Sequence, residues 1–220
     1  MKQFKQIFLI AVLMLCSITW FGANAQKRLP ASKQTETLKY GNPSEQLKNF
    51  LKIAAAANVS FTFPKGFREI NAPDNEDVSF DYAIELPGKD FEIWFQVKSQ
   101  KENWASYERN LGNKSRAVAN PDSLYIGMGK ACAIAFAGQD NYLVRTIPAD
   151  IALRYNADAG KSYLLNLLDS PVTKSYKYAL LITLQKDHTG TILAVAFSNE
   201  KGAEFFKNIA KASNCVKFKS

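Results

Sequence analysis

The stretch Val78-Ser79-Phe80-Asp81-Tyr82-Ala83-Ile84-Glu85-Leu86-Pro87-Gly88-Lys89-Asp90-Phe91-Glu92-Ile93-Trp94-Phe95-Gln96-Val97 decides the fold. Val78, Phe80, Tyr82, Ile84 and Leu86 alternate with Ser79, Asp81, Ala83 and Glu85. Beyond Pro87-Gly88-Lys89-Asp90, Phe91, Ile93, Phe95 and Val97 alternate with Glu92, Trp94 and Gln96. Successive strand side chains point to opposite faces, so a period of two marks a strand with one apolar face. Two such runs around a Pro-Gly turn predict an antiparallel hairpin. One face packs on a core and the other meets solvent.

Working outward, Val59, Phe61 and Phe63 alternate in the same way. Before them, Pro43-Ser44 opens a helix in which Leu47, Phe50, Leu51 and Ala54 share one face. Lys101 to Asn120 is polar and reads as loop with a short helix. A helix from Pro121-Asp122 to about Phe136 would bury Leu124, Met128, Ala131, Cys132 and Ala135. Tyr142 to Thr146 reads as a short strand and Pro148 to Tyr155 as a short helix. Tyr163 to Leu168 is too short to decide between strand and helix. Tyr178 to Leu184 and Thr191 to Phe197 are apolar runs joined through Asp187-His188-Thr189-Gly190, a second and more central hairpin. A helix from about Glu200 to Ala212 would bury Phe205, Phe206, Ile209 and Ala210, with Val216 and Phe218 as a last pairing segment. Hairpins mixed with helices predict an α+β fold: a twisted antiparallel sheet of about five to seven strands covered by helices.

In this order of elements, on Phe61-Thr62-Phe63-Pro64-Lys65-Gly66-Phe67 and on Tyr178 to Ala212, the chain resembles the PsbP-like α/β/α sandwich family. The resemblance implies helices on both sides of the sheet. Tyr155-Asn156-Ala157-Asp158-Ala159-Gly160 and the hairpin after it resemble uncharacterised exported proteins of Bacteroidetes-type bacteria. That likeness implies no activity.

Composition bounds the function. The chain has 220 residues, a formal charge of +8, three cysteines and one histidine. With 47% hydrophobic and 22% charged residues it is neither disordered nor a multi-span membrane protein. One histidine excludes a multi-histidine zinc site and leaves a single candidate for a triad. Lys2 and Lys5, the apolar run Ile7 to Leu15 and the small residues of Ala23-Asn24-Ala25 form a secretory leader. Cleavage after Ala25 removes two lysines and no acid, which takes the charge from +8 to +6. The expected organisation is a leader at 1–25, a flexible polar lead at 26–42 and one α+β domain at 43–220. The expected location is the periplasm or the exterior, where a Cys132–Cys215 bridge is chemically allowed. Two separate core thiols are the other reading.

Candidate sites are few. His188 sits in a turn beside Asp187, and neighbours in a turn rarely supply the across-fold geometry of a triad. No G-x-S-x-G elbow is present. Gly127-Met128-Gly129-Lys130 lacks the Ser or Thr of a phosphate loop and reads as small residues in a packed helix. Asp74, Glu76 and Asp77 cluster without the spacing of a calcium loop. No motif calls for a cofactor or a metal.

Aromatic residues mark the best candidate for a binding surface. Trp94 falls on the polar side of its strand, and Trp104 and Tyr107 follow in the polar segment. Trp94 is either a solvent-facing contact residue or, if helices cover that face, part of a second core. Arg154, Asn156 and Asp158 add polar groups at a turn, where such residues also cap backbone groups. Charge is segregated: residues 67–100 are acidic, while 26–66 and 198–220 are basic. The scattered lysines allow at most a peripheral membrane contact. Nucleic acid is not expected, because no recognised binding module is visible. The expectation is an exported envelope protein that binds an envelope component or supports structure without catalysis. An envelope hydrolase using carboxylates and a small-ligand carrier are the rivals.

Overall fold

Both alternating stretches fold as hairpins of one antiparallel sheet in the computed structural model, which describes residues 43–74, 78–111, 119–139 and 141–220. The leader, the polar lead, and Glu76 and Asp77 of the acidic cluster lie outside the described residues. Residues Glu45–Ser220 form one compact unit.

The unit opens with α1 (Glu45–Ala56), β1 (Val59–Phe61) and β2 (Arg68–Ile70). The first hairpin is β3 (Tyr82–Glu85) and β4 (Phe91–Ser99), and α2 (Lys101–Asn110) follows it. A 3-10 turn at Pro121–Ser123 leads into α3 (Leu124–Ala137), β5 (Tyr142–Thr146), α4 (Ala149–Arg154) and β6 (Ala159–Asn166). The second hairpin is β7 (Tyr178–Lys186) and β8 (Gly190–Ser198), followed by α5 (Ala203–Ala212) and β9 (Val216–Phe218). Seven strands pair in the order β2-β3-β4-β8-β7-β6-β5, and β1 pairs with β9 in a separate ribbon. The two hairpins meet at the centre, where Trp94 lies opposite Val195 and Phe95 opposite Ala194.

Helices pack on both faces. On one face Phe91, Ile93, Phe95 and Val97 of β4 join Phe50 and Ala54 of α1, Phe205 of α5 and Phe218 of β9. Phe50 stacks on Tyr82 at 4.9 Å, and Phe61 meets Phe50 edge-on at 5.1 Å. On the other face Trp94, Leu193, Val195 and Phe197 pack against Ala133, Phe136 and Ala137 of α3. Each buried aromatic contributes roughly 1.5–3 kcal/mol through the apolar surface it removes from water.

Several boundaries and faces differ from the sequence reading. The first strand of the hairpin starts at Tyr82 instead of Val78, with an isolated bridge between Asp74 and Ser79 ahead of it. Of Tyr163 to Leu168, the first four residues resolve as strand at the end of β6, and Leu167 and Leu168 lie beyond it. On α3 the buried residues are Tyr125, Gly129, Ala133, Phe136 and Ala137, whereas Ala131 and Ala135 are exposed. Lys130 apart, the helix is apolar all round, so its pattern carries little contrast from which to read the inner face. Gly129 is the tight point: a Cβ there would come within 2.7 Å of the Tyr163 ring. On α5, Phe205, Asn208 and Ala212 are buried and Ala210 is exposed.

The sheet's two edges are built differently. β2 is three residues long, and Arg68 pairs with Glu85 beside it. The Gln46 amide of α1 donates to Ile70 O at 2.9 Å and accepts from Ala72 N at 2.8 Å. β5 has five residues, with Leu143 58% exposed and Val144 50% exposed.

Candidate functional site

The β7–β8 hairpin turns sharply at Asp187-His188-Thr189, with His188 in the left-handed region at φ 57°. Thr189 N donates to Lys186 O at 3.0 Å and Thr189 Oγ1 donates to Asp187 O at 2.9 Å. Asp122 reaches this tip from the start of the α3 segment. The Asn120 side chain accepts from Asp122 N at 2.9 Å, and Pro121 presets the backbone for the first turn. Asp122 Oδ1 then accepts three hydrogen bonds: Trp104 Nε1 at 2.8 Å, Gln185 Nε2 at 2.8 Å and His188 N at 2.9 Å. His188 Nε2 lies 3.6 Å from Asp122 Oδ2.

The Trp104 ring packs on the His188 ring at 3.9 Å and meets Tyr107 edge-on at 5.1 Å. No residue of α2 is fully buried, so these contacts dock the helix, together with Gln100 N, which donates to Thr189 O at 3.0 Å. On the far side of the tip Asp158 accepts from Lys186 Nζ at 2.9 Å and from Asp187 N at 2.8 Å. Desolvation works against the Asp158 carboxylate. The Lys186 ammonium and the Asp187 N–H outweigh it and hold its pKa below the usual value. Asp187 moves the other way: desolvation, then the charges of Asp122 and Asp158, raise its pKa.

Of the candidates read from the sequence, the structure brings Trp104, Tyr107 and Asp158 to this hairpin tip, with His188. Trp94, Arg154 and Asn156 lie elsewhere. Trp94 is fully buried, so the solvent-facing reading gives way to the second core under α3. Its Nε1 donates to Glu92 Oε2 at 2.8 Å. Glu92 also takes Lys174 Nζ at 2.8 Å and the Tyr176 hydroxyl at 3.3 Å. Lys174 Nζ stands 5.7 Å from the centre of the Trp94 ring. Asn156, at φ 52°, donates through Nδ2 to Phe218 O at 2.8 Å and fastens β9. Arg154 ends α4 at the surface.

The Cys132–Cys215 bridge is not formed. Both thiols are free, Cys132 flanking the α3 core and Cys215 in the core on the opposite sheet face. Burial pushes each thiol pKa up to about 12. Gly127 meets nothing within 4 Å, so of the two glycines in Gly127-Met128-Gly129-Lys130 packing requires Gly129 alone. Asp122 and Gln185 escaped the sequence reading. Pro121-Asp122 was readable as a helix start, but the partners of Asp122 lie on α2 and in the second hairpin, with no local motif to join them. Among the described residues no three His, Cys, Asp or Glu groups gather as a metal-binding set. Nor is any helix among them long and apolar enough to cross a membrane. No protein-family model matches the chain, and no curated protein matches it either.

Proposed function

We propose that this chain is an exported envelope protein that binds an envelope component without catalysis, and that the β7–β8 tip is its contact surface. The observation that carries the reading is the cluster of half-buried Trp104 and Tyr107 with exposed His188, tied to Asp122. Aromatic faces beside carboxylates suit a ligand with apolar ring faces and polar edges, such as a sugar unit of an envelope polymer. Asp122 holds the tip's shape, because its Oδ1 is already engaged by three donors, one of them the His188 backbone. Neither thiol is a ready nucleophile for His188, because burial keeps both protonated. Export rests on the charged, apolar, small-residue pattern of the first 25 residues.

The test is the fluorescence of Trp104 during titration with soluble envelope glycans, with Trp94→Phe removing the other indole of the domain. A saturable change that disappears in Trp104→Phe supports binding at the tip. Turnover of such a glycan that disappears in Asp158→Asn or His188→Gln, with folding intact, overturns the non-catalytic reading. One observation favours that rival, the carboxylate hydrolase: Asp158 and Asp187 are displaced in opposite directions, as in acid–base pairs. The Lys186 ion pair accounts for the Asp158 displacement without catalysis, which ranks binding first. N-terminal sequencing checks export: the processed chain is expected to begin at Gln26.

A further inference from the structure

We propose that β5 is a self-pairing edge through which two copies of this chain join their sheets. The argument rests on the backbone of β5 and is independent of the hairpin tip. Asn166 N donates to Asn141 O at 2.8 Å and Ile147 N donates to Gly160 O at 3.0 Å. Antiparallel alternation therefore turns the backbone groups of Asn141, Leu143, Arg145 and Ile147 toward β6. Those of Tyr142, Val144 and Thr146 point away from it. β5 ends the strand order, so among the described residues no strand lies beyond it. Leu143 and Val144 stand exposed on opposite faces of this edge.

The three outward residues are symmetric about Val144. An antiparallel pairing centred there sets Val144 opposite Val144 of the second copy and Tyr142 opposite Thr146. Every outward residue then finds a partner, with about six hydrogen bonds across the edge. Centring on Leu143 strands Thr146. Centring on Arg145 sets two like charges opposite each other. The Val144 register instead places each Arg145 opposite Leu143, where its aliphatic stem covers apolar surface. Charge and hydrogen bonding therefore select the same register. A five-residue ribbon falls short of the about 800 Å² per partner of a standard interface, so the dimer is weak and concentration-dependent.

The opposite edge, β2, is poorer for pairing: it is three residues long, and the Gln46 amide already occupies Ile70 O and Ala72 N at its end. Sedimentation of the processed chain from micromolar to millimolar concentration is expected to show a reversible monomer–dimer equilibrium. Val144→Pro removes an outward N–H, leaves the β5–β6 ladder intact and weakens the dimer at least tenfold. Leu143→Pro removes an N–H given to β6 and lowers stability as well, which separates the two effects. Opposed residues of a hydrogen-bonded antiparallel pair have Cα atoms roughly 5.5 Å apart, within disulfide range. Val144→Cys is therefore expected to cross-link two copies on mild oxidation, while Leu143→Cys, offset in this register, does not. Cys132 and Cys215 are common to both variants and set the same background. A chain that stays monomeric throughout, or a Val144→Cys variant that links no faster than Leu143→Cys, overturns the proposal. Capture of a foreign strand in place of a second copy gives the monomeric result and counts against it.

Discussion

Two indoles in this chain donate to a carboxylate at the same distance, Trp94 to Glu92 and Trp104 to Asp122, each at 2.8 Å. Each carboxylate also faces a basic side chain, Lys174 at 2.8 Å and His188 at 3.6 Å. Burial separates the pairs. The Glu92 side chain is 8% exposed and lies against a fully buried indole. At the hairpin tip the Asp122 side chain is 17% exposed and that of His188 65%. A carboxylate in a dry core must have its oxygens engaged by protein groups, because water cannot reach them. The same pair at the rim stays in reach of water, beside the half-buried Trp104 and Tyr107 rings. One chemistry thus serves as a strut in one place and as a surface in the other.

The comparison breaks first at the indoles. Trp94→Ala empties the centre of the α3 core and removes a donor from Glu92, a loss of about 3–5 kcal/mol in urea unfolding. Trp104→Ala removes one part-buried hydrogen bond and two ring contacts, a loss of roughly 1–2 kcal/mol by the same measurement. Similar losses for both would dissolve the distinction. The basic partners come next. Lys174→Met leaves Glu92 buried beside Trp94 and Tyr176. The expected cost is about 2–3 kcal/mol, below the ~3–5 kcal/mol of a fully buried pair because Lys174 is 45% exposed. His188→Asn keeps a residue that tolerates the left-handed backbone and is expected to cost about 0.5–1 kcal/mol through the lost contact with the Trp104 ring.

Smaller effects appear with pH. The Asp158 carboxyl is held below its ordinary value, so its contribution is present above about pH 4 and is lost as pH falls through the lower folded value. Asp158→Asn should flatten the acid limb of a melting-temperature profile. Asp187 is raised, so the folded state binds its proton more tightly and stability falls as pH rises through that value. Asp187→Asn should raise the melting temperature at neutral pH, and the gain should vanish in acid where the wild-type carboxyl is also protonated. The smallest effect concerns the thiols. Alkylation without reductant should label the folded chain slowly and the unfolded processed chain twice, and reductant should leave its stability unchanged.

The first hairpin was legible because apolar and polar residues alternate along its strands, and the second because two apolar, β-rich runs flank a turn. Strand lengths were less so, since Val78 and Phe80 continue the period after the pairing has ended. The inner face of α3 could not be read from a helix that is, Lys130 apart, apolar all round; its register is set by Tyr163, which closes on Gly129 from a strand. Trp94 could not be placed from its own strand, because its burial depends on α3 arriving from elsewhere. The tip showed the same limit. Trp104, Tyr107 and Asp158 stood out as residue types, but Asp122, which organises them, looked like an ordinary helix-start residue. A polar side chain whose partners sit in a distant hairpin leaves no period in the sequence.

The sheet's pairing order also sets when the fold can close. β4 stands at the centre of the sheet yet waits for β8, and β1 waits for β9 at the chain's end. Such non-local pairings form slowly, because long loops must close before any contact rewards them. The sheet cannot close until β8 has been made, nor the β1–β9 ribbon until β9 has. Late closure is thus built into the order of the strands, whatever follows synthesis.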